Sequence, residues 1–95
     1  MPAYAIFQIK IINDDKYKEY VNQVTPIVEK FNGEYLIRGG KSEVMLGKWE
    51  YPRTVMVKFP SYQRAIDWYN SDEYKPIKKI REDNSKGNCV IVEGF

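Results

Sequence analysis

Gly33-Glu34-Tyr35-Leu36-Ile37-Arg38-Gly39-Gly40 is a short strand that carries one arginine and breaks on two glycines. It follows the clearest amphipathic helix in the chain. Asn13-Asp14-Asp15 supplies capping oxygens and negative charge for that helix's start. Tyr17, Tyr20, Val21, Val24, Ile27, Val28 and Phe31 then recur at spacings of three and four. Pro26 removes a hydrogen bond to the Asn22 carbonyl and predicts a kink without loss of the helix. Asn32-Gly33 closes it, with glycine expected at the left-handed end position. In the strand beyond, period-two counting places Tyr35 and Ile37 on one face and Glu34, Leu36 and Arg38 on the other. Gly39-Gly40 ends the strand or puts a bulge in it.

Upstream, Ala3 to Ile12 reads as a strand with Phe7, Ile9 and Ile11 on a core face and Tyr4, Ile6, Gln8 and Lys10 on a mixed one. Downstream, Ser42 to Leu46 can form a short additional strand, and Gly47 to Pro52 is a loop carrying Trp49 and Tyr51. Arg53 to Phe59 is again a strand, splitting Val55, Val57 and Phe59 from Thr54, Met56 and Lys58. Ser61 is a good N-cap for a helix with Tyr62, Ala65, Ile66 and Tyr69 at helical spacing and Trp68 on its flank. Asn70 and Glu73 suggest a capping box for a short helix to about Arg81, with Pro76 in its early turns. Glu82 to Asn88 reads as a polar turn and Cys89 to Glu93 as the last strand.

The order strand, helix, strand, strand, helix, strand defines an α+β, ferredoxin-like βαββαβ domain, an antiparallel sheet with its helices on one face, spanning residues 1–95. The other face stays open. Ile6, Leu36, Met56 and Ile91 make that face half apolar, so the expected partner is a second copy packed against it, a homodimer forming a dimeric α/β barrel.

Composition narrows the chemistry. Ninety-five residues with 29% charged side chains and a net charge of +2 describe one soluble domain near the lower end of independent stability. The basic residues alternate with acids, so no nucleic-acid face is expected. No apolar run reaches the roughly 18 residues of a membrane span and no signal core opens the chain, which predicts a cytoplasmic protein without membrane contact. Cys89 is the only cysteine and reads as a small apolar strand residue. The chain has no histidine, which removes histidine-based catalysis and imidazole metal ligation. No metal site and no cofactor is implied. Proton transfer falls to carboxylate, lysine, tyrosine, water or substrate. Pro2 would present a secondary amine after loss of Met1, a base in tautomerases, but Met1 blocks it.

The candidate ligand contacts are Arg38, Lys58, Trp49, Tyr69, Tyr74, Gln8 and Arg81. If Arg38 and Lys58 converge, they attract a carboxylate, enolate or phosphate. The alternative is cross-strand pairing with Glu93 or Glu34. Trp49, Tyr69 and Tyr74 fall in or beside loops and suit an aromatic ligand, whereas most other aromatics sit at core spacing. Arg81 can simply complement a helix dipole, and Lys75, Lys78 and Lys79 read as a solvated face.

Several of these features together resemble a known bacterial family. They are Ala3-Tyr4, Asp15-Lys16-Tyr17, Gly33 through Arg38-Gly39-Gly40, Glu43-Val44 with Gly47 and Trp49, Phe59-Pro60-Ser61, and Trp68-Tyr69 with Ser71 and Glu73-Tyr74. The resemblance is to domain of unknown function family 1330 and covers nearly the whole chain. It implies a ferredoxin-like subunit and a dimeric α/β barrel, but no reaction. The wider superfamily includes cofactor-free monooxygenases, haem-degrading enzymes, muconolactone isomerases and ligand-sensing domains. Two expectations follow. One is a small homodimeric enzyme acting on an anionic or phenolic molecule without histidine or metal, monooxygenase- or isomerase-like. The other is a non-catalytic binding or accessory module.

Overall fold

Alternating burial along the first strand, β1 (Ala3–Ile11), sets one side of the sheet: Ala3, Ala5, Phe7 and Ile9 are buried. In the computed structural model, which describes residues 1–95, β1 is a central strand. It pairs antiparallel with β3 (Arg53–Phe59) and β4 (Ser85–Glu93), and β2 (Glu34–Arg38) adds outside β3, giving the order β2-β3-β1-β4. Helices α1 (Asp14–Lys30), α2 (Tyr62–Tyr69) and α3 (Lys75–Asn84) complete the ferredoxin-like order, with α3 as a third helix. No helix is long and apolar enough to cross a membrane.

One core lies between the sheet and the helices. Val55, Val57 and Phe59 of β3 join the buried β1 residues, and Tyr17, Tyr20, Val24 and Val28 of α1 close over them. Trp68 of α2 is fully buried, stacked on Tyr74 at 4.5 Å between ring centroids and tilted against Phe59 at 5.2 Å. The Asn13 side chain accepts from the Lys16 amide and Ser61 from the Arg64 amide, so both expected N-caps form. α1 runs unbroken through Pro26.

Several boundaries and faces differ from the sequence reading. Asn32, at φ 63°, takes the left-handed position that ends α1. Gly33 serves close packing instead, since a Cβ there would meet Val28 Cγ1 at 2.6 Å and Phe59 at 2.8 Å. Residues 42–46 form no strand; they are exposed coil ending in Met45 and Leu46. Asn70 caps the C-terminus of α2, and Ser71 Oγ accepts from the Tyr74 amide, so the turn before α3 is held by serine rather than by the expected Asn70–Glu73 box. The stretch 82–88 is no turn either: α3 continues to Asn84 and β4 starts at Ser85, long enough to pair with the whole of β1.

Two corrections concern faces. A register shift between Tyr35 and Ile37 inserts Leu36 as an extra residue, so Ile37 pairs with Met56 while Tyr35 and Arg38 pair with Val57 and Val55. A bulge reverses side-chain parity beyond it, and Arg38 therefore sits on the helix side with Tyr35. In β4, Ile91 pairs with Ala5 and packs on the core, while Val90 and Val92 occupy the open face.

Candidate functional site

Arg81 is the residue around which the helix-side cleft is built. It lies on α3 at 9% exposure, the one charged side chain among the buried residues. Its Nη1 donates to Tyr74 Oη at 3.2 Å and its Nη2 to Tyr69 Oη at 3.1 Å. The guanidinium also lies 5.2 Å from the centre of the Phe7 ring. Tyr74 Oη is in turn 2.8 Å from Tyr20 Oη, so α1, the α2–α3 corner and α3 are tied by one chain of phenols ending on a cation. No carboxylate pairs with Arg81; the three ion pairs of the chain, Lys16–Glu19, Lys30–Glu73 and Lys79–Asp83, all lie on the surface.

A buried guanidinium remains charged at any accessible pH and carries five N–H donors. Two are used here. Beside it opens a cavity of about 480 Å³, bounded by Phe7, Ile9, Tyr69, Arg81 and Cys89 on the core side and by Glu82 and Lys86 near its rim. The Tyr69 hydroxyl accepts from Arg81 and has no acceptor of its own, so its proton is free for a ligand. Arg81 and Tyr69 both offer donors on the core side of the cavity, which suits an anion, and Glu82 is the one carboxylate in its lining.

A second, narrower crevice of about 20 Å³ shares Phe7 and Ile9 as a wall and reaches Tyr17, Tyr35, Arg38 and Arg53. Arg38 lies flat over the Tyr35 ring at 4.0 Å and donates to Thr25 Oγ1 at 2.9 Å and the Val21 carbonyl at 3.3 Å. Arg53 stands 5.8 Å from the Tyr17 ring centre, and its Nε is buried with no hydrogen-bond partner. Burial raises the Tyr17 phenol above its usual range, while Arg53, Arg81 and Arg38 each pull it down. Three guanidinium groups thus bear on one hydroxyl.

Burial also pushes the Tyr35 phenol up to about 12, opposed mainly by Arg38. It raises Tyr20 and Tyr74 as well, and lifts the Cys89 thiol to about 11. These phenols are neutral donors at physiological pH, not bases. No group of three or more His, Cys, Asp or Glu side chains converges to hold a metal ion.

The structure divides the sequence candidates into two sets. Arg81 and Tyr69 line the cavity with Tyr74 bonded to Arg81 behind them, and Arg38 lines the narrower crevice. Tyr74 lies in the turn before α3, but its ring is wholly buried, stacked on Trp68. Lys58, Gln8 and Trp49 belong to the opposite side. Lys58 pairs with Tyr4 and Glu34, Gln8 with Thr54 and Asn88, and Trp49 Nε1 donates to Thr54 Oγ1 at 3.0 Å. Arg38 and Lys58 therefore do not converge, because the bulge moved one and not the other.

Arg53, Tyr17 and Tyr20 were missed from sequence. Signals existed for the first and for the burial of Arg81. Arg53 shares odd parity with Val55, Val57 and Phe59, and Arg81 follows Tyr74 and Ile77 on one helical stripe.

The four-stranded antiparallel sheet with its helices on one face makes this an α+β domain of the ferredoxin-like class. The chain belongs to the DUF1330 family, a domain of unknown function, whose model matches residues 2–95. Among solved structures it is similar to RPA0582, a protein of unknown function from Rhodopseudomonas palustris. That match has TM-score 0.78 and 12% identity, covering 99% of this chain and 82% of that one. It is also similar to SnoaB, a cofactor-independent oxygenase from Streptomyces nogalater, with TM-score 0.65 and 4% identity over 99% and 93% of the two chains. A putative antibiotic biosynthesis monooxygenase from Nitrosomonas europaea aligns at TM-score 0.56 and 13% identity, over 99% and 90%. No curated protein sequence matches it. At these identities the likeness concerns the fold.

Proposed function

We propose that the helix-side cleft binds a small acidic molecule in its anionic form, as carboxylate, enolate or phenolate, with Arg81 holding the charge and Tyr69 donating a second hydrogen bond. The observation that carries this reading is a guanidinium at 9% exposure, bonded only to phenols, at the wall of a 480 Å³ cavity. Burying a cation without a counter-ion is costly, and a bound anion offsets that cost.

As an enzyme, the protein would lower the acidity barrier of an enol or phenol by stabilising its conjugate base. An isomerase would return the proton at another carbon. A monooxygenase would pass electrons from the carbanion to dioxygen, placing one oxygen atom in a new carbonyl and releasing the other as water. The fold shared with SnoaB supports the second class. The one carboxylate bordering the cavity is Glu82 at the rim, so the substrate would lose its proton to water or to Glu82. That same feature favours the alternative, a binding module that returns its ligand unchanged.

1-Hydroxy-2-naphthoate and its neutral amide separate these readings. The acid should bind and raise the melting temperature; the amide should not. Oxygen uptake or a changed mass assigns an enzyme, and recovery of intact ligand assigns a binding module. Equal binding of acid and amide would remove the anion site altogether.

The open face carries Ile37, Val90 and Val92, all exposed, beside Ile6 and Met56. A second copy covering this face makes the homodimer. Light scattering should give twice the chain mass for the wild type, and V90K should give a monomer. A monomeric wild type at tens of micromolar would refute it.

A further inference from the structure

We infer that the ligand of this cleft carries two acidic groups on an apolar body, one held by Arg81 and the other by Arg53 with Arg38. This rests on the anion site at Arg81 and adds a second charge point to it. Of the four arginines in the chain, three face the same side of the sheet, and none is ion-paired. Glu82 is the single carboxylate bordering the wider cavity, and none borders the crevice. Three uncompensated cations on one side of the sheet repel each other, and an anion at Arg81 leaves the Arg38–Arg53 repulsion in place.

The two charge points flank β1. Ile9 pairs with Arg53 on one side and with Gly87 on the other, so the Arg53 and Gly87 backbones stand two strand spacings apart, about 10 Å. Arg81 lies against Phe7 and lines the cavity on the Gly87 side. Phe7 and Ile9 form an apolar floor between the two charge points. A flat hydrocarbon body resting on that floor reaches both ends.

Two details single out Arg53 as a ligand group rather than a strut. Its Nε is a buried donor with no partner, an arrangement that native interiors seldom leave unfilled. Room is also kept for it: Gly39, at φ 75°, has no Cβ, and one there would fall 2.1 Å from Arg53 Nη1. The crevice at that point admits a group little larger than one water, which suits a carboxylate.

Naphthalene-2,6-dicarboxylate, its monomethyl ester and its dimethyl ester, measured by calorimetry against the wild-type chain, test the inference. The diacid should bind roughly tenfold or more tightly than the monoester. Arg53→Gln should erase that preference, so that the diacid binds no more tightly than the monoester. Arg53→Lys keeps the charge but not the Nε donor and should recover only part of the preference; circular dichroism checks that both variants are folded. Equal affinity for diacid and monoester, or a preference that survives in Arg53→Gln, would overturn the second charge point while leaving the first. Binding of the dimethyl ester as tightly as the diacid, or of none of the three, would remove both.

Discussion

Replacing Arg81 by methionine separates a ligand-binding cation from a structural one, because the two roles predict different losses of stability and of binding. The guanidinium makes two hydrogen bonds to phenol oxygens at 3.1 and 3.2 Å, and hydrogen bonds to charged groups contribute about 1.5–3 kcal/mol each. Against this stands desolvation of an unpaired ion, several kcal/mol in protein interiors. Methionine follows much of the same path with no charge and adapts to irregular space. Tyr74 keeps its bond to Tyr20, and Tyr69 can turn to water in the open cavity. The terms nearly cancel, so the unliganded variant should lie within about 1 kcal/mol of wild type, or roughly 4–8 °C in melting temperature. Binding of 1-hydroxy-2-naphthoate should be lost. Urea unfolding followed by circular dichroism measures the first quantity and calorimetry the second. A loss of more than about 2 kcal/mol with binding intact would mean that Arg81 braces the fold and that the anion reading is wrong.

Phe59→Ala should destabilise by about 3–5 kcal/mol, since the ring is fully buried against Trp68, and chemical denaturation should show the midpoint shift. Gly39→Ala forces a Cβ into both a left-handed backbone and the Arg53 guanidinium; a loss of about 1–2 kcal/mol and an altered diacid preference are expected, while an unchanged melting curve would contradict the contact. Stability should fall as pH rises beyond 10. The unfolded chain then releases phenol protons that the folded chain holds, Tyr35 up to about 12 and Tyr20 and Tyr74 also raised, so the folded state binds more protons and loses ground with each step upward. Alkaline unfolding followed at 222 nm should therefore begin above pH 10; a flat profile to pH 12 would show these phenols to be solvated. The Cys89 thiol, pushed up to about 11, should react with iodoacetamide at neutral pH far more slowly than free cysteine.

The strands and the first helix were legible because one residue in two, or one in three to four, carries the burial signal. That logic fails at Leu36. One inserted residue leaves composition and hydropathy unchanged yet carries Arg38 to the other face of the sheet, and pairing register is a property of two strands, not one. Arg81 was legible as a candidate contact, but its burial was not. Lys78-Lys79-Ile80-Arg81-Glu82-Asp83 looks like a solvated helix surface, and only the three-dimensional closure of Tyr69, Tyr74 and Phe7 around one of its charges makes it an interior. Residues 42–46 carry the apolar run Val44-Met45-Leu46 of a strand but form exposed coil paired with no strand of the sheet.

The placement of the two tryptophans gives the molecule a built-in pair of optical reporters. Trp68 is buried, in stacking contact with Tyr74, one bond network away from Arg81, and its emission should be blue-shifted and responsive to filling of the cleft. Trp49 is 47% exposed, anchored to Thr54 on the opposite side, and should emit at longer wavelength until something shields that surface. A W49F chain therefore glows only from its interior and a W68F chain only from its exterior. Occupancy and self-association become two colours of one spectrum.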